Sequence, residues 1–156
     1  MTVTTEPDAS TTIASLGLGD SFTYADLTQA VQRHRNRELK VAEVAELNDG
    51  RGVCAVVFSS EEWDLVLHAH SDSPLHVQQF VLHEFAHMVL GHCETEWHDT
   101  LDVILPDLPE GFKARMLARK DLDSRIEIAA ELLADSFAAG IRRASLIESD
   151  FVEVFG

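Results

Sequence analysis

Residues 83–87 read His-Glu-Phe-Ala-His. On a helix, positions i and i+4 lie about 40° apart around the axis and one turn apart in height, so both imidazoles reach one cation. Glu84 is offset from His83 by about 100°, which lets it contact a water on that cation but not ligate the cation alongside both histidines. Two neutral imidazoles holding Zn²⁺, with a glutamate that takes a proton from the bound water, is the chemistry of an HExxH hydrolase. Zn²⁺ lowers the pKa of its water to about 7 and so makes a nucleophile at neutral pH.

A catalytic zinc ordinarily takes three protein ligands. His92, five residues after His87, is one candidate. The extended signature HExxHxxGxxH, however, needs Gly and His where this chain has Leu90 and Cys93. A better source is the last helical stretch, where Glu131 and Asp135 stand at i and i+4, with Glu127 one turn earlier. Its opposite side carries Leu133, Phe137 and Ile141, which can pack on a sheet or on the first histidine helix. That helix is expected to deliver the third ligand.

The elements that must position these groups are marked in the chain. Ser73-Pro74 is a strong helix start, with Ser at the N-cap and Pro at the first helical position. The helix it opens runs to Leu90, stops at Gly91 and is apolar nearly all round, as expected of a helix buried at the centre of a domain. Val53–Ser59 and Trp63–Ala69 read as two strands of a hairpin around Ser60-Glu61-Glu62. Val41–Leu47 fits strand or helix equally, before the turn signal Asn48-Asp49-Gly50. An earlier helix, capped by Asp20 or Ser21, buries Tyr24, Leu27 and Val31 and leaves Arg33, Arg35 and Arg37 at a solvated end. Residues 93–112 read as a long loop, and Lys113–Lys120 as a short helix. Asp123 or Ser124 starts the last helix, which ends near Arg143. The expected organisation is a flexible tail over 1–20, one domain over 21–143, and a C-terminal tail over 144–156. The fold class is α+β, a sheet of about three strands against the HExxH helix and a C-terminal carboxylate-bearing helix.

Of the 156 residues, 46% are hydrophobic and 25% charged, an ordinary globular composition for a single domain. The chain carries 12 basic and 27 acidic residues, a net charge of −15. That charge disfavours direct binding to nucleic acid or anionic membranes and favours partners with basic patches. Cys54 and Cys93 are the only cysteines, which suits a reducing compartment better than a disulfide scaffold. Met1–Ser10 has neither the basic nor the apolar region of a signal peptide, and no apolar run approaches transmembrane length. The expected location is the cytoplasm.

The sequence HEFAH followed by Met-Val-Leu-Gly-His, then Glu-Leu-Leu-Ala-Asp-Ser-Phe-Ala-Ala at 131–139, resembles the ImmA/IrrE family of zinc metallopeptidases. Ser-Pro-Leu-His ahead of the histidine helix also fits, and the resemblance covers residues 53–142. It implies a small zincin-like, gluzincin-type domain with one Zn²⁺ on His83, His87 and Glu131. Glu84 would be the general base, and Asp135 would accept a ring N–H from a ligand histidine. Glu127 is the fallback ligand. Leu133 departs from the family, which often has a second glutamate there. Family members are proteases of bacteria and mobile elements, and several cleave a helix-turn-helix repressor. The implied activity is hydrolysis of a peptide bond in a specific protein, with a repressor encoded nearby as candidate substrate and regulation of transcription as outcome. Some members carry an N-terminal DNA-binding domain. About 50 residues precede the first confident strand here, so a repressor would be a separate chain. The competing class is a metal-stabilised, non-catalytic regulatory module, antitoxin-like or phage-related; the intact Glu84 argues against it, because a structural zinc needs no base.

An oxyanion donor is also required, and Tyr24, His68, His70, His76 and His98 are candidates between which the sequence does not choose. His76 falls on the His83 side of its helix two turns earlier, too far for ligation. The strand at 63–69 is a candidate substrate edge by β-augmentation. Cys93, Trp63 and Trp97 read as packing residues.

Overall fold

The computed structural model describes residues 8–44, 55–59, 62–91, 114–115 and 124–155. Among these, the order is α1 (Ala9–Ser15), α2 (Tyr24–Arg35), β1 (Glu38–Glu43), β2 (Ala55–Ser59), β3 (Trp63–His68), α3 (Pro74–Val89), β4 (Ala114–Arg115) and α4 (Ser124–Phe155). The α+β class holds. The described strands form one four-stranded sheet in the order β1-β3-β2-β4, one strand more than expected. β2 and β3 make the antiparallel hairpin, with Val57 opposite Val66. β1 runs parallel to β3, with Val41 opposite Val66. β3 therefore lies inside the sheet with both sides paired, which removes it as a substrate edge.

Local chemistry explains most of these boundaries. Thr23 caps α2 in a reciprocal box: its Oγ1 accepts from the Asp26 N–H at 3.0 Å, and Asp26 Oδ2 accepts from the Thr23 N–H at 3.0 Å. The expected cap at Asp20 or Ser21 is thus displaced by two or three residues. Asn36, in the left-handed region at φ 54°, ends the helix. Gln32 Oε1 then accepts the Leu39 N–H at 2.9 Å and aligns β1 beside the helix it leaves. Ser73 caps α3 as read, Pro74 opens it, and Gly91 at φ 80° follows its end.

Three further expectations, about where elements begin and end, fail. Residues 9–15 are helical rather than a tail, with Asp8 as cap; Thr12 and Leu16 are buried and Ile13 packs on the core. Residues 114–115 pair with β2 instead of belonging to a helix. The last helix does not stop at Arg143 but continues through the supposed tail to Phe155, because no Gly or Pro interrupts 144–155. The loop at 93–112, with His98 and Trp97, lies outside the described residues, as do His92 and Cys93.

The core brings all these elements together. Leu27 and Val31 of α2, Val57 and Val66 of the sheet, Leu82, Phe85 and Met88 of α3, and Leu133 and Phe137 of α4 form one buried cluster. Each such side chain contributes about 1.5–3 kcal/mol by burial. An ionic tie joins the end of α2 to the sheet. Arg35 grips Asp64 of β3 through Nε at 3.0 Å and a terminal nitrogen at 3.2 Å, and Arg37 adds a contact at 3.3 Å. Asp64 is 1% exposed and the Arg35 side chain 7%. Arg35 and, less deeply, Arg37 are therefore anchors rather than the solvated residues expected, while Arg33 is exposed as read.

Candidate metal centre

From Val81 to Val89 every residue of α3 is buried, including His83, Glu84 and His87. Core packing thus forces two imidazoles and a carboxylate into an apolar setting, which costs several kcal/mol unless they are satisfied. His83 and His87 sit edge to face with ring centroids 4.7 Å apart. Their Nε2 atoms approach to 3.0 Å. Glu127, in the first turn of α4, faces both: Oε2 is 3.1 Å from His83 Nε2 and Oε1 is 3.3 Å from His87 Nε2. One donor atom from each of the three lies within 4.8 Å of the others, and they are the one such group among the described residues.

Protons alone serve this triangle poorly. If each Nε2 carries hydrogen and donates to Glu127, two N–H groups face each other at 3.0 Å. If one imidazole donates to the other, the accepting nitrogen presents its lone pair to a carboxylate that also only accepts. A cation among the three atoms satisfies all of them. Tetrahedral zinc with Zn–N of 2.0–2.1 Å sets donor atoms roughly 3.3 Å apart, close to the spacings seen. Two histidines and a glutamate form a recognised catalytic zinc set that leaves the fourth position open, and the donors present fit that ion.

The structure moves the carboxylate by one turn from the residue expected. Glu131 and Asp135 are exposed, and Glu127 stands with the imidazoles. The reason is helix pitch. Four residues advance about 400°, so acids at i, i+4 and i+8 drift by about 40° per step rather than sharing a face. The buried stripe of α4 is Ala130, Leu133, Ala134 and Phe137. Glu127 lies at the edge of that stripe, Glu131 beyond it, and Asp135 nearly opposite. The signal was present in the sequence: the apolar side must face α3, and of the three acids Glu127 is nearest to it.

The other candidates disperse. Tyr24 stacks on Phe85 at 6.0 Å, and Phe85 projects about 200° around α3 from His83, away from the imidazoles. Desolvation raises the Tyr24 pKa above its usual 10.0. His68 Nδ1 lies 3.0 Å from the Ala69 carbonyl. His70 is held between Glu43 at 2.9 Å and Asp72 at 3.1 Å, and hydrogen bonds to these carboxylates raise its pKa above 6.5. His76 is exposed and stacks on Phe80. Trp63 is half-buried, with Lys40 Nζ 5.9 Å from its ring centre.

Comparison with protein-family models, curated proteins and solved structures finds no match for this chain. No helix among the described residues is long and apolar enough to cross a membrane.

Proposed function

We propose that this protein is a zinc-dependent endopeptidase of the ImmA/IrrE type, with a zincin-like domain and Zn²⁺ held by His83, His87 and Glu127. The observation that carries the reading is the three-way approach of these side chains at 3.0–3.3 Å, with Glu84 buried on the same helix. A structural zinc site is typically closed by four ligands, often cysteines; three ligands with a buried carboxylate next to one of them on the same helix suit catalysis.

Bound Zn²⁺ supplies a Lewis acid for the scissile carbonyl and brings the pKa of water near neutrality. Glu84 accepts a proton from the attacking water and returns it to the leaving amine. His83 and His87 present neutral Nε2 atoms and hold the ion without adding charge. Glu127 partly offsets the ion's charge, and its place in the first turn of α4 is favourable for a carboxylate. The apolar side chains around α3 lower the local polarity, which strengthens each of these interactions.

The substrate is a specific protein. A net charge of −15 attracts basic partners, and a DNA-binding repressor of the helix-turn-helix type presents such a surface. The reading places the reaction in the cytoplasm. Its test is Glu84→Gln, assayed by intact mass of a neighbouring-frame repressor incubated with the zinc-loaded protein. Cleavage should fall by about 10²–10⁴ while zinc stays bound. Undiminished cleavage with zinc retained would refute the peptidase mechanism.

A further inference from the structure

The metal-bearing face of α3 continues beyond the ligands. Side chains at 76, 80, 83 and 87 fall within an arc of about 60° around the axis. Burial changes abruptly along that arc: His83 and His87 are buried, Phe80 is half-buried and His76 is exposed. The His76 and Phe80 rings stack, with centroids 6.3 Å apart and planes inclined by 27°. An aromatic pair therefore runs along this face from the metal centre towards solvent.

The helix rise sets its reach. Phe80 lies about 4.5 Å along the axis from His83 and about 6 Å from Glu84, and His76 about 10.5 Å from His83. An extended peptide advances about 3.3 Å per residue. For a peptide laid along α3, a side chain one or two residues from a bond held at the metal centre lies level with Phe80.

We infer that His76 and Phe80 form an apolar aromatic wall that receives an aromatic or branched apolar side chain next to the scissile bond of the peptide substrate. The inference rests on the peptidase reading and adds a preference at one position of the substrate. Phe80 is the specificity-determining residue, and His76 extends its surface.

Hydroxamates test it by calorimetry on the zinc-loaded full chain. Acetohydroxamate probes the metal alone, and phenylacetohydroxamate adds an aromatic arm. The arm should tighten binding about tenfold in the wild type. That ratio should fall to about twofold or less in Phe80→Ala and to an intermediate value in His76→Ala. Phe80→Leu, which keeps an apolar side chain, should retain part of the ratio and so separates a lost wall from a lost fold. Equal affinities for the two probes in the wild type, or a ratio untouched by Phe80→Ala, would overturn the inference. A chain that takes up no zinc would overturn the zinc reading itself, and this inference with it; a zinc-loaded chain that binds neither probe would overturn the inference alone.

Discussion

Asp64→Ala is the sharpest perturbation of the scaffold. Asp64 is 1% exposed, and it receives two hydrogen bonds from Arg35 and one from Arg37. Burying a carboxylate and a guanidinium costs several kcal/mol per ion, offset by their attraction and by the fork-shaped contact. Removing only the carboxylate keeps the cost of burying Arg35 and loses the compensation, which destabilises by about 3–5 kcal/mol. Total stabilities are about 5–15 kcal/mol, so this is a large fraction. At about 2–4 °C per kcal/mol for a chain of this size, Tm should drop by roughly 6–20 °C. Arg37→Ala, with a side chain 28% exposed, is the internal control and should cost about 1 kcal/mol or less. Urea melts with an unchanged m-value provide the assay. A loss below about 1 kcal/mol for Asp64→Ala would place the cluster with exposed ion pairs and refute the argument.

Two further outcomes follow from the packing and the charges. Gly140 is buried in α4, and a Cβ there would overlap the ring of Phe22, itself 3% exposed; Gly140→Ala should therefore destabilise by about 1–3 kcal/mol from overpacking, reduced by up to about 1 kcal/mol of helix propensity, measurable by thermal melting. The pKa of His70 is raised by Glu43 and Asp72, so the stabilising effect of this clasp is present below about pH 6.5 and is lost as pH rises through the raised value. An NMR titration should find the His70 pKa above 6.5, and lower in Glu43→Gln; no difference between the two would contradict the clasp.

What the sequence revealed, and what it concealed, divides by range. Ser73-Pro74, Gly91 and the β2–β3 hairpin were legible because caps, turn residues and β-branched runs act within a few positions. The imidazole pair was legible because i and i+4 meet whatever the tertiary structure. The carboxylate that faces them was legible only in part: helix pitch puts Glu127 nearer the apolar stripe of α4 than Glu131 or Asp135, but the packing of that stripe on α3 is a contact between residues 44 apart in the chain. The pairing of Arg35 with Asp64, 29 residues apart, is equally non-local, and from sequence alone three arginines at a helix end read as solvated. The parallel pairing of β1 with β3 joins strands with β2 between them in the chain, a connection that no local pattern encodes.

Metal content tests the central claim most directly. The purified wild type, Glu127→Ala and Glu131→Ala should be titrated with Co²⁺ and followed by the visible bands of tetrahedral cobalt, then with Zn²⁺ in competition. One equivalent should be bound by the wild type and by Glu131→Ala. Glu127→Ala should lose more affinity than the roughly 10–100-fold that outer-shell lesions cost. A wild type that binds no metal, or an affinity that follows Glu131 rather than Glu127, would contradict that claim.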